Sequence, residues 1–117
     1  MKRDMDIVRQ ILLALETGDT SETKKLDRDV LCYHNYLLVD AGLALGTDAS
    51  SDGNMLPQYF VHSLTWHGHE FLDAAREPKR WKQAKSLIVD KIGGASISIW
   101  TKVLTDQMMN TITTALP

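Results

Sequence analysis

His62, His67, His69 and Glu70 are the side-chain types in this chain best suited to hold a metal ion or move a proton. Their spacing argues against both roles. His67 and His69 are two apart on a predicted helix, so they diverge by about 200°. A helical zinc pair needs a spacing of three or four. His67 and Glu70 have that spacing, but two ligands do not make a site. Cys32 and His34 are also two apart, so no thiolate–imidazole pair shares a face. Cys32 is expected to be a small buried or half-buried side chain, and His34 a hydrogen-bonded core residue. With one cysteine, the chain offers no internal disulfide and no cysteine metal cluster. The glycines between Gly42 and Gly53 are scattered and do not form a phosphate-cradling loop. The reading is therefore a protein that is not an enzyme, with no cofactor and no metal.

A second kind of chemistry is recognition. A helix predicted from about residue 28 carries Arg28, Cys32, Tyr33, Asn35, Tyr36 and Val39 on its expected outward face. Asn35 can bond an adenine edge and Arg28 a guanine edge or a phosphate. Tyr33 and Tyr36, with Lys24 and Lys25 just before the helix, can bond phosphate oxygens. Acids oppose this. Asp27, Asp29 and Asp40 lie on or beside the same helix, and the span 47–64 has no Lys or Arg but holds Asp48 and Asp52. The formal net charge is −2, from 13 basic and 15 acidic residues, and lacks the basic excess usual in a nucleic-acid binder. The densest basic cluster, Arg76, Lys79, Arg80, Lys82 and Lys85, reads as a solvated helix face.

These residues need elements to position them. Met5, Val8, Ile11, Leu12 and Leu15 recur at helical spacing behind Asp4 and Asp6, and Gly18 ends that helix. Residues 18–26 are polar and read as a loop with a short strand around Lys24–Leu26. Asp27 or Asp29 caps the second helix, whose apolar stripe is Val30, His34, Leu37, Leu38 and Ala41, and Gly42 stops it. Leu43–Gly46 and Gln58–Leu64 read as two strands, with Asp52-Gly53 as the turn. On the second strand Tyr59, Val61 and Ser63 should face one way, and Phe60, His62 and Leu64 the other. Thr65 caps a third helix in which Gly68 marks a close backbone approach. Pro78 opens a fourth helix, Trp81 to Ile92, ended by Gly93-Gly94. Residues 96–115 form a fifth, capped by Ser96, although "ASISIW" alternates like a strand.

Helix, two-stranded hairpin, helix over 30–72 resembles a winged helix-turn-helix. The blocks "MKRDMDIVRQILLALE", "YHNYLLVDAGL" and "LTWHGHEFLDAAR", followed by a Trp and "GG", together resemble domain-of-unknown-function family 2513, found in bacteria and in phage or prophage genomes. The resemblance covers nearly the whole chain and implies no activity.

The fold expected is mainly α with a small β-hairpin: a winged-helix-like domain over 1–77 and a helical extension over 78–117 that packs on it or forms a dimer contact. Ile99, Val103, Met108, Met109 and Ile112 on the fifth helix are the candidate contact of a homodimer. The leading functional expectation is a phage- or prophage-associated transcriptional regulator binding double-stranded DNA through Lys24, Lys25, Arg28, Tyr33, Asn35 and Tyr36. The alternative is a non-catalytic module that binds a host or phage protein. No signal peptide or membrane-spanning run is expected, which points to the cytoplasm and to no membrane partner.

Overall fold

In a computed structural model, residues 1–51, 53 and 56–116 are described. The chain is mainly helical, with a two-stranded antiparallel hairpin, and divides into two compact units, Met1–Leu72 and Asp73–Pro117. The sequence reading draws its boundary at 77/78, after the third helix, whereas the contacts divide the chain within that helix. The expected turn at Asp52-Gly53 involves Asp52, which lies outside the described residues.

In the first unit, α1 (Met5–Thr17) starts where the Asp4 carboxylate accepts the Asp6 N–H at 2.9 Å. It stops at Gly18, whose φ of 79° is left-handed and lets its N–H reach the Ala14 carbonyl. The strand expected around Lys24–Leu26 is instead one 3-10 turn, Thr23–Lys25. Local bonds explain this: Lys24 N–H donates to Thr20 O, Leu26 N–H to Thr23 O, and the Thr23 hydroxyl also to Thr20 O. These groups are satisfied within the turn and leave little for a ladder.

Helix α2 (Arg28–Asp40) is capped by Asp27, and Gly42 follows it at φ 75°. Buried His34 ties it to α1. The Asp4 N–H donates to His34 Nε2 at 2.9 Å, so Nδ1 carries the proton and donates to Val30 O at 2.8 Å. Asp4 thus caps α1 with its side chain and anchors it to α2 with its backbone. The core of this unit includes Val8, Ile11, Leu12, Leu38, Leu43, Phe71 and Leu72.

Strands β1 (Ala44–Asp48) and β2 (Tyr59–Leu64) pair antiparallel. The register runs Leu45 to Ser63 but Gly46 to Val61, so His62 is an extra residue in β2. This bulge corrects the expected alternation. Tyr59 and Val61 are half-buried and Phe60 exposed, as a regular strand predicts, but beyond His62 it is Leu64 that turns inward and Ser63 that is exposed. Gly46 sits opposite the bulge, where a Cβ would stand 2.5 Å from the Phe60 carbonyl oxygen and 2.9 Å from Val39 Cγ2.

Helix α3 (Trp66–Ala75) is capped by Thr65, whose Oγ1 accepts the Gly68 N–H at 3.0 Å and donates to the Gly42 carbonyl. Gly68 is buried, and a Cβ there would overlap the Leu43 carbonyl, as its position in a helix suggests.

In the second unit, α4 (Pro78–Ile92) begins with the Glu77 carboxylate accepting from Lys79 N–H at 2.9 Å and Arg80 N–H at 2.7 Å. Those two bonds hold the Glu77 carboxyl below its ordinary range. Gly93 ends the helix at φ 73°. Ser96 caps α5 (Ile97–Ala115), so "ASISIW" opens a helix. Trp81 and Trp100 stack with centroids 4.7 Å apart and, with Ala84, Ile88 and Leu104, form the buried seam between α4 and α5.

Gly68→Ala should destabilise the folded chain by about 3 kcal/mol or more, because helix backbone and Leu43 carbonyl must move apart. Gly94→Ala, where a Cβ meets nothing within 4 Å, should change stability little. Urea unfolding of both variants checks this, and equal midpoints would contradict the close approach.

Candidate functional site

The exposed side of α2 is defined by four residues spaced four, three and four apart: Asp29, Tyr33, Tyr36 and Asp40. That spacing forms one helical stripe. The two aspartates are exposed and the two tyrosines half-buried. Tyr33 and Tyr36 lie with ring centroids 6.3 Å apart, and Tyr36 meets Tyr59 of β2 edge-on at 5.3 Å. Tyr33 also packs edge-on against the buried His34 ring. The aromatic row therefore runs from the helix onto the hairpin.

Carboxylates frame this row. Asp48 and Asp40 both lie close enough to act on the Tyr59 phenol electrostatically. Desolvation first, then the negative charge of Asp48, raises Tyr59 above the usual phenol value. The Asp48 carboxylate accepts the Ser50 N–H at 2.8 Å, and its interactions with Ser50, the side chain first and then the backbone, hold it below its usual range. A second bond, Gln58 N–H to Ser50 Oγ at 2.9 Å, closes the outer end of the hairpin.

Of the residues expected on the outward face of α2, Asn35 is 5% exposed and Val39 half-buried near Gly46, while Cys32, 3% exposed, is the small buried side chain that was also expected of it. The buried arc of α2 is turned by roughly 100°, one residue position, from the stripe read off the sequence. The cause is the hairpin, which needs a partner on that flank: Asn35 Nδ2 donates to the Tyr59 carbonyl at 3.0 Å. Asn35 is therefore committed to holding β2 and offers no amide to a major groove. Its Oδ1 is buried with no hydrogen-bond partner.

Lys24, Lys25 and Arg28 are exposed around the start of α2. Lys25 pairs with Glu22 at 3.3 Å. Over residues 22–29 the three cations meet three acids, Glu22, Asp27 and Asp29, so the end of the helix carries no net charge. His62 bonds to Thr47 across the hairpin, while His67, His69 and Glu70 are exposed. Among the described residues no three His, Cys, Asp or Glu side chains come together.

On α5, Ile99, Met109 and Ile112 are exposed and Val103 and Met108 half-buried. They do not form a single stripe. Ile99 and Val103 lie on one flank of the buried Trp100–Leu104 seam, Met109 and Ile112 on the other. In the basic cluster, Arg76 pairs with Asp73 at 2.9 Å and Arg80 donates to the Ala74 carbonyl at 3.4 Å. Lys79, Lys82 and Lys85 are exposed. Among the described residues no helix is long and apolar enough to cross a membrane.

The chain belongs to domain-of-unknown-function family 2513, a family of hypothetical proteins whose model matches residues 2–95. A Haemophilus influenzae protein described as uncharacterized is 37% identical over 98 residues, covering 78% of this chain and 81% of the relative. No solved structure matches the chain. The family match takes in the tyrosine row and α4 but ends before α5.

A raised phenol stabilises the fold below the unfolded tyrosine value near pH 10, and that stability is lost as pH rises through the higher folded value. Phenolate absorbance should show a late-ionising component that is absent in Tyr59→Phe. In Asp48→Asn its midpoint should move back toward 10. A late component that survives Tyr59→Phe would misassign the shift.

Proposed function

We propose that the protein is a non-catalytic interaction module whose helix–hairpin surface binds a cationic protein segment. The observation that carries this is the stripe Asp29–Tyr33–Tyr36–Asp40, continued by Tyr59 and Asp48 on the hairpin. Tyrosines supply rigid contact area with a hydrogen-bonding tip. Arginine or lysine side chains can stack on their faces while pairing with the flanking carboxylates. The same face repels phosphate. A duplex laid on it would bring backbone charge against Asp29, Asp40 and Asp48, and the residue best suited to read adenine, Asn35, is buried.

A second reading keeps a winged-helix regulator that binds double-stranded DNA, acts as a homodimer and serves a phage or prophage. What favours it is the exposure of Lys24, Lys25 and Arg28 at the front of α2. Those three cations would make a few phosphate contacts, so affinity would be low and fall steeply with salt.

The two readings separate in one titration of the full chain. One labelled probe is an arginine-rich peptide and the other a duplex from the region beside its own gene. The first reading expects saturable peptide binding that perturbs the ring resonances of Tyr33, Tyr36 and Tyr59. The triple variant Asp29→Asn, Asp40→Asn, Asp48→Asn should weaken it about tenfold. Sequence-selective duplex binding, lost in Lys24→Ala with Arg28→Ala and unaffected by the triple variant, would establish the second reading instead.

A further inference from the structure

We propose that the first unit binds a small, uncharged, largely apolar molecule carrying one N–H or O–H donor, in a cleft between α1, the 3-10 turn, α2 and β2. The cleft has a volume of about 200 Å³. Its walls are Ile11, Leu15, Leu31 and Val61, and Phe60, 49% exposed, contributes its ring. Among the described residues no charged side chain lines it, so an ionised ligand would lose its hydration without compensation. The volume suits one bicyclic ring system or a short branched chain.

The independent observation is Asn35. It lines the cleft, is 5% exposed, and its Oδ1 lacks any partner. The amide orientation is assigned by its other contact, because the Tyr59 carbonyl can only accept and so must face Nδ2. That leaves an unpaired acceptor on a residue that lines a mainly apolar cleft, beside Thr20 and Thr23, and in a small-molecule site apolar walls give affinity and a few polar groups give orientation. A buried acceptor without a donor is also costly. A ligand donor would remove that cost, which a wholly apolar molecule cannot do. The oxygen has almost no accessible surface as it stands. A donor reaches it once a lining side chain moves aside, and Phe60, 49% exposed, is one that lines the cleft.

The cleft also explains how occupancy would be felt. Asn35 holds β2 to α2, so a ligand bonded to Oδ1 stiffens the joint between helix and hairpin. The inference stands apart from the surface reading. It concerns the buried flank of α2, whereas Tyr33 and Tyr36 occupy the other flank.

The test uses the full chain and three probes of nearly one shape: indole, 1-methylindole and indene, of which only indole has an N–H. Methyl resonances of Ile11, Leu15, Leu31 and Val61 report binding. Indole should bind saturably at about millimolar concentration or below, and the two analogues about tenfold more weakly, the loss of one hydrogen bond to a buried acceptor. Ala14→Phe, which fills the cleft from α1, should abolish the indole shifts while circular dichroism stays that of the parent. Equal affinities for all three probes would overturn the role of Asn35, and no saturable shift of these methyls with indole would overturn the site. Should Ala14→Phe fail to fold, the three-probe comparison on the parent still decides.

Discussion

The Asn35 amide is held between helix and hairpin, and the faces of the first unit follow from that bond. Nδ2 donating to the Tyr59 carbonyl fixes the rotation of α2 about its axis. Cys32, Leu38 and Asn35 are then turned inward, and Asp29, Tyr33, Tyr36 and Asp40 outward. It also sets where β2 starts, which places Tyr59 against Tyr36 and Asp48 against the Tyr59 hydroxyl. Two close approaches finish the arrangement. Gly46 lets the hairpin press on Val39, and Gly68 lets α3 press on Leu43. Each glycine stands where backbone or a packed methyl occupies the space of a Cβ, so the hairpin is clamped between α2 and α3.

Much of the fold was legible because its signals are local. Asp4, Asp27, Thr65, Glu77 with Pro78, and Ser96 start helices by bonding to N–H groups two or three residues on. Gly18, Gly42 and Gly93 follow helices at positive φ. Such bonds need no knowledge of the rest of the chain, and helix ends could be read within a residue or two. His34 was also legible, since a histidine on an apolar stripe has few fates besides a satisfied core group.

What escaped the sequence depends on long-range registration. The bulge at His62 exists only relative to β1, so a strict period of two assigned Ser63 and Leu64 to the wrong sides. The rotation of α2 escaped for a similar reason. Val30, Leu37 and Ala41 form a credible apolar stripe, while a polar residue such as Asn35 is read as outward unless its partner is known. That partner is a carbonyl 24 residues away, which carries no residue-type signal. The candidate surface was therefore half legible. Tyr33 and Tyr36 were identified, but their neighbours became clear only when the rotation placed Asp29 and Asp40 beside them.

Asn35 also carries a physical tension. A leucine of similar shape there would bury no unpaired oxygen, avoiding a penalty of about 1–3 kcal/mol, but would leave the Tyr59 carbonyl without its side-chain donor. An aspartate could not donate to that carbonyl at all unless protonated. Of these three side chains the amide alone supplies the donor that the hairpin needs, and it brings an acceptor with it by necessity. The residue that carries it lines a cleft between α1, the 3-10 turn, α2 and β2. Thr23 also lines that cleft but offers it no donor. Its hydroxyl is instead used on the Thr20 carbonyl, where it closes the turn. Thr23 is committed to its turn and Asn35 to a strand 24 residues away, and the Asn35 oxygen is left without a donor.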